Sequence, residues 1–224
     1  MNAQKKENTL YIGVALAALL VLTLILAPKQ KNENNTMITE FKEGVHYSTV
    51  SIPEEVTSGL KKLGYDVNKT FELFSYSCPH CYTFENFLEK YEESSKETVT
   101  QLQLGFDGFP IAETDYMINK SLSGEELKKA KLSLFETMTS SEISWEKKEQ
   151  FIALFPTSRG LSEDQIISMS LDASNYSKLS RALMLAVDLK STPALYLHGK
   201  YYVNMQNIRS LENLQALSQH LSER

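Results

Sequence analysis

Two cysteines three positions apart, in the run Cys78-Pro79-His80-Cys81, constrain this chain more than any other feature. They are the only cysteines among 224 residues. Upstream lies the apolar, β-like run Phe71-Glu72-Leu73-Phe74-Ser75-Tyr76. Downstream, from Cys81 to about Ser94, Phe84, Phe87, Leu88 and Tyr91 recur at helical spacing. The pair therefore sits where a strand hands over to a helix, which calls for a sheet with helices packed on it. Pro79 falls near the first helical turn, where a missing N–H costs nothing and a fixed φ suits the helix. Cys78 is thereby placed among unpaired N–H groups at the positive end of the helix dipole. Both stabilise a thiolate, and His80, when protonated, adds positive charge beside it. In such surroundings a thiol pKa falls from ~8.5 to roughly 3.5–7.5. A stabilised thiolate makes the disulfide form relatively unfavourable and easily passed to another dithiol. The expectation is an exposed, attacked Cys78 and a more buried, resolving Cys81.

Other uses of two cysteines fit less well. A disulfide-stapled scaffold is richer in cysteine. A structural disulfide spanning three positions constrains little of the unfolded chain. A zinc site built on Cys78, His80 and Cys81 lacks a fourth ligand and a second cysteine pair. No metal or cofactor is expected. The net charge of −5, with no long basic run, argues against a nucleic-acid partner. The 42% hydrophobic content suits a packed core.

The remaining pattern supplies the sheet. Val45–Ile52 reads as a strand ended by Pro53, and Thr98–Phe106 as an alternating strand with Gln101 and Gln103 on its polar side. A helical block runs from about Ala112 to Leu189, with breaks near Gly124, Ser140, Pro156–Gly160 and Ser174. Ala194–Leu197 and Lys200–Val203 form a hairpin around His198-Gly199, and Ile208–Leu221 is a closing amphipathic helix. Strand–helix–strand crossovers imply parallel pairing and the hairpin adds antiparallel strands, so the sheet is mixed.

Ser191-Thr192-Pro193 directly precedes a strand. Proline there can close a tight turn in the cis form. Facing the Cys78 helix, the Thr192 backbone could pair with an extended substrate strand; on local sequence alone an ordinary strand-start proline is the alternative. Glu72 and Glu85 are candidate buried carboxylates that tune the thiols or relay protons; a solvated or hydrogen-bonded acid is the alternative for each. His46, His198 and His220 are expected at the surface, and Trp145 in a helical core.

The N-terminus carries a separate signal. Thr9–Ala27 is 19 residues without a charge, rich in Leu, Ile, Val and Ala. At ~1.5 Å per residue such a helix roughly spans a hydrocarbon core of ~30 Å. A cleavable signal peptide is the rival, but Ile25 and Pro28 flank the Ala27 junction poorly, and no lipoprotein cysteine follows. The expected organisation is residues 1–8 inside, 9–27 as a single-pass anchor, 28–40 as a polar linker and 41–224 as the folded domain outside.

At this point a resemblance is legible. The segment Phe71–Glu85, containing Cys78-Pro79-His80-Cys81, closely resembles the active-site segment of the DsbA family of bacterial disulfide-forming oxidases. Thr192-Pro193-Ala194 and His198-Gly199-Lys200-Tyr201 are similar to that family's cis-proline turn and hairpin. The resemblance implies an α/β, thioredoxin-like fold with a mixed central sheet and a helical domain inserted at about 112–189. It implies Cys78 as nucleophile, Cys81 as resolving thiol, Pro193 as the cis-proline, and Glu72 and Glu85 as acids near the thiols. It implies cysteine-containing exported proteins as substrates, and reoxidation by a DsbB-like, quinone-linked protein of the inner membrane. The domain would then face the periplasm in a bacterial envelope. Thr192 stands where many members have valine and is familiar in isomerase and reductase relatives. A tethered reductase or isomerase, and a non-catalytic chaperone or adaptor on the same fold, stay open as alternatives.

Overall fold

The computed structural model describes residues 37–106 and 108–224. The expected anchor lies outside the described residues, as does most of the linker. Among the described residues, no helix is long and apolar enough to cross a membrane.

Five strands form one mixed sheet. In chain order the elements are β1 (Tyr47–Thr49), α1 (Glu54–Lys62), β2 (Phe71–Phe74), α2 (Pro79–Ser95) and β3 (Thr100–Gln103). Then come α3 (Ile111–Ser121), α4 (Gly124–Thr139), α5 (Trp145–Ser158) and α6 (Glu163–Ala186), followed by β4 (Ala194–Leu197), β5 (Tyr201–Val203) and α7 (Leu211–Ser222). The strand order is β1-β5-β4-β2-β3. β2 runs parallel to β3, as the α2 crossover between them requires, while β2–β4, β4–β5 and β5–β1 are antiparallel.

Alternation sorts the central strands onto two faces. Phe71 and Leu73 of β2 join Ala194 and Tyr196 of β4 in a core with Leu60 of α1, Tyr116 of α3 and Tyr176 of α6. The Phe71 and Tyr196 rings stack there at 4.5 Å. On the opposite face Leu195 and Leu197 meet Leu88 and Tyr91 of α2 and Leu214, Leu217 and Leu221 of α7. Glu72, between Phe71 and Leu73, is therefore aimed at the α2 side. A third apolar cluster carries Phe74, Tyr76 and Cys81 into Ile118, Leu134, Phe135, Ile152 and Phe155 of the inserted helices. The cysteine motif is thus wedged between the sheet and the insertion.

Several local expectations need correction. α1 goes unpredicted, although Glu54-Glu55 at its start and Lys61-Lys62 at its end complement the dipole, and Val56 and Leu60 bury one face. The break expected near Ser174 is absent. α6 runs on through it because the small Ala173, Ser177 and Ser180, buried on one face with Tyr176, let it pack closely. The first strand shortens to three residues. Trp145 is not core: it is 54% exposed, its indole N–H donates to Glu149 at 3.0 Å, and its ring lies against Phe109. His198 is half-buried, with Nε2 at 2.9 Å from the Ser218 carbonyl.

Candidate active site

The turn after β2 is built by its own hydrogen bonds. The Tyr76 N–H donates to Gln103 Oε1 at 2.9 Å and the Tyr76 hydroxyl to Asp115 Oδ1 at 2.7 Å. The Ser77 N–H donates to Ser75 Oγ, and the Cys78 N–H to the Ser75 carbonyl at 2.9 Å. These bonds leave Cys78 as the N-cap of α2, with φ −98° and ψ 110°, and Pro79 in the first turn. The cap is made by sulfur: Cys78 Sγ accepts the Cys81 N–H at 3.3 Å.

Cys78 and Cys81 are both free thiols, the first half-exposed and the second fully buried. Burial pushes the Cys78 thiol up, but hydrogen bonds from the Cys81 thiol, the Thr192 side chain and the backbone N–H groups of Cys81 and His80 outweigh it, and the net shift is downward. Burial, together with the hydrogen bond that Cys81 makes to Cys78, pushes the Cys81 thiol far up. One sulfur is prepared as a thiolate and the other as a thiol. Pro79 and His80 lie exposed beside them.

Across from the motif, the Thr192–Pro193 peptide is cis. The Cys78 thiol donates to the Thr192 carbonyl at 3.4 Å, across 114 positions of sequence. Thr192 and Pro193 line a groove of about 660 Å³ together with His80 and Phe84 of α2 and Met205 and Ile208 of the loop before α7. Cys78, Cys81, His80, Pro79, Thr192 and Pro193 are therefore gathered at one end of the sheet.

The two acids lie on the inner side. Glu72 is fully buried; its Oε2 accepts from Gln101 Nε2 at 2.9 Å, while its Oε1 has no partner. The same Gln101 amide donates to Glu85 Oε1 at 2.8 Å, and Lys131 of α4 donates to Gln101 Oε1 at 3.0 Å. Burial, then the neighbouring Glu85, push the Glu72 carboxyl up to about 8. Burial also raises Glu85, with Lys131 pulling the other way. Sequence reasoning finds both carboxylates but misses Gln101 and Lys131, which join them. Gln101 sits in the middle of a β-run, where a polar residue needs a partner; Lys131 reaches the pair from a helix whose placement no local pattern reveals.

A second polar cluster was also missed. Buried Asp115 of α3 accepts from the Tyr76 hydroxyl and, at 3.3 Å, from the Tyr176 hydroxyl of α6. The Gln103 N–H donates to that same Tyr176 oxygen at 3.0 Å. Among the described residues no group of acids, cysteines and histidines could hold a metal ion.

No family model and no curated protein matches the chain. Solved structures do. DsbL of Salmonella enterica serovar Typhimurium is 17% identical, with a TM-score of 0.62, over 84% of this chain and 100% of that one. The DsbA disulfide interchange protein of Klebsiella pneumoniae is 14% identical, with a TM-score of 0.61, over 84% and 100%. DsbA of Pseudomonas aeruginosa is 22% identical, with a TM-score of 0.58, over 84% and 96%. At these identities the likeness is one of fold, and this chain has the thioredoxin-like fold with an inserted helical domain that those proteins share.

Proposed function

We propose that the chain is a thiol:disulfide oxidoreductase that donates a Cys78–Cys81 disulfide to cysteine pairs of exported proteins. The observation that carries this reading is the asymmetry of the two sulfurs: Cys78 caps a helix, half-exposed and lowered, while Cys81 is buried and raised.

In the donating direction, a substrate thiolate attacks Cys78 Sγ. The Cys78–Cys81 bond breaks and its electron pair goes to the Cys81 sulfur. That sulfur favours the thiol and takes a proton, for which neutral, buried Glu72 is the suited donor. A second substrate thiolate then attacks the substrate sulfur of the mixed disulfide. Cys78 leaves as a stabilised thiolate, which makes it a good leaving group. The substrate loses two electrons and the protein gains them. Thr192 offers backbone to an extended substrate segment, in the manner of an added strand. A DsbB-like, quinone-linked membrane partner would restore the disulfide. The uncharged run Thr9–Ala27 would tether the domain to the inner membrane, facing the periplasm.

The direction of electron flow is tested by equilibrating the protein with glutathione buffers and unfolding both redox forms in urea. The reduced form should be the more stable, and the protein should oxidise a reduced dithiol peptide. Cys78→Ser should abolish that activity. A more stable disulfide form would instead make the chain a reductase or isomerase, and a wild-type protein that exchanges no disulfide with the peptide in either direction would be a non-catalytic adaptor.

A further inference from the structure

The groove beside Cys78 and Thr192 has a charge pattern of its own. Phe84 and Phe87, stacked at 5.2 Å, form an apolar wall with Met205 and Ile208. Among its described lining residues none is acidic, and the basic ones are His80 and Arg209. This is unexpected on a chain with 28 acids against 23 lysines and arginines. Arg209 stands at the rim, exposed, in the loop that leads from β5 to α7. Its Nε donates to the Gln206 carbonyl at 2.6 Å, which holds the root of the guanidinium and is the one hydrogen bond it makes among the described residues. Among the described residues it has no ion-pair partner of its own. A guanidinium held at one edge, beside an apolar wall and without a carboxylate to neutralise it, suits a carboxylate bidentately.

We infer that Arg209 is a specificity-determining residue that selects extended polypeptide segments carrying an Asp or Glu side chain near an apolar residue and the reacting cysteine. The inference rests on the oxidoreductase reading for the cysteine, but the binding preference follows from the groove alone. A basic side chain at the same substrate position meets Arg209 and His80 and is disfavoured. The reacting sulfur is held at the Thr192 end of the groove, so the acidic residue must lie within a few positions of the cysteine.

The test is a peptide series with one cysteine pair and one apolar residue, in which each of the four flanking positions on either side of a cysteine is in turn Asp, Asn or Lys. Two readouts are taken: the oxidation rate with the disulfide form of the full chain, and the equilibrium affinity of the same peptides with serine in place of cysteine. At one position or more, Asp should exceed Lys by about three- to ten-fold at low salt, the range of an exposed ion pair exchanged for a repulsion. The preference should shrink in 0.5 M salt, where charges are screened beyond roughly 4 Å. Arg209→Lys should keep the order and Arg209→Glu should reverse it, with Arg209→Gln serving if the reversal variant does not fold. Oxidation with no charge ranking at any position, or a ranking unchanged in the Arg209 variants, overturns the inference and leaves the oxidoreductase reading intact. An Arg209-dependent affinity ranking without oxidation does the opposite.

Discussion

Glu72 is the residue whose environment differs most from its usual one. It is wholly buried, one of its oxygens is unpartnered, and its carboxyl is pushed up to about 8 from an ordinary 4.5 by burial and then by Glu85. Between those two pH values the folded chain holds a proton that the unfolded chain has released. The stabilisation this gives is complete below about pH 4.5 and is lost as pH rises through about 8. Reduced wild-type protein should therefore unfold at lower urea at pH 8 than at pH 5. Glu72→Gln, an uncharged isostere, should flatten that slope. Comparing the two reduced proteins cancels the thiol titrations common to both, and an identical slope in the variant would show that Glu72 titrates normally. In the proposed mechanism Glu72→Gln would have no proton to pass to Cys81. The oxidation rate of a dithiol peptide should fall several-fold at pH 6–7, with affinity for the serine peptide unchanged.

At the scale of elements, the sheet meets the insertion through side chains at many points and, just after β3, at an approach of backbone to backbone. After β3 the chain passes so near α6 that a Cβ built on Gly105 would lie 2.2 Å from the Ser177 carbonyl oxygen. Both partners are backbone, so neither can move aside cheaply. Gly105→Ala should cost about 1–3 kcal/mol in urea unfolding, the range of an overpacked core. Period and punctuation made the strand–helix junction at Cys78, the parallel β2–β3 pair and the 194–203 hairpin legible in the sequence. α1 escaped because it is only nine residues long and carries Thr57-Ser58-Gly59 at its centre, a run that reads as loop, although Val56 and Leu60 mark a clear apolar face. Trp145 misled for the converse reason: a large ring at a helix start reads as core, yet nothing in its neighbourhood closes over it. Within the site, Cys78, Cys81, Thr192 and Pro193 carry local signatures. Gln101, Lys131 and Asp115 matter only through partners that are far away in sequence, and spacing holds no trace of those.

Over the whole molecule, Asp115 joins three parts. It is a buried acid of the insertion that accepts from Tyr76, two residues before Cys78, and from Tyr176, which in turn holds the backbone of Gln103 in β3. Burial raises its carboxyl, while the Lys131 charge and then the tyrosine hydroxyls pull the other way. Tyr76→Phe removes the closer donor and leaves Oδ1 buried and unpaired, so it should lower global stability by about 1–3 kcal/mol. The loss should exceed that of Tyr116→Phe, whose ring packs in the neighbouring cluster and whose hydroxyl pairs with the exposed Asp172 and not with Asp115. Equal losses would mean that the cluster is ordinary packing and not a clamp between insertion and sheet.

The 114 positions between Cys78 and the Thr192 carbonyl have a consequence for how the protein is made. A chain emerging from the ribosome or from a translocation channel presents its cysteines long before it presents Thr192, and β2 gains its β4 neighbour only when Ala194–Leu197 has arrived. Until then Cys78 can have its cap from the Cys81 N–H, three positions on, but not its contact with Thr192. The Thr192 end of the site is thus completed late, when the C-terminal strands close on β2.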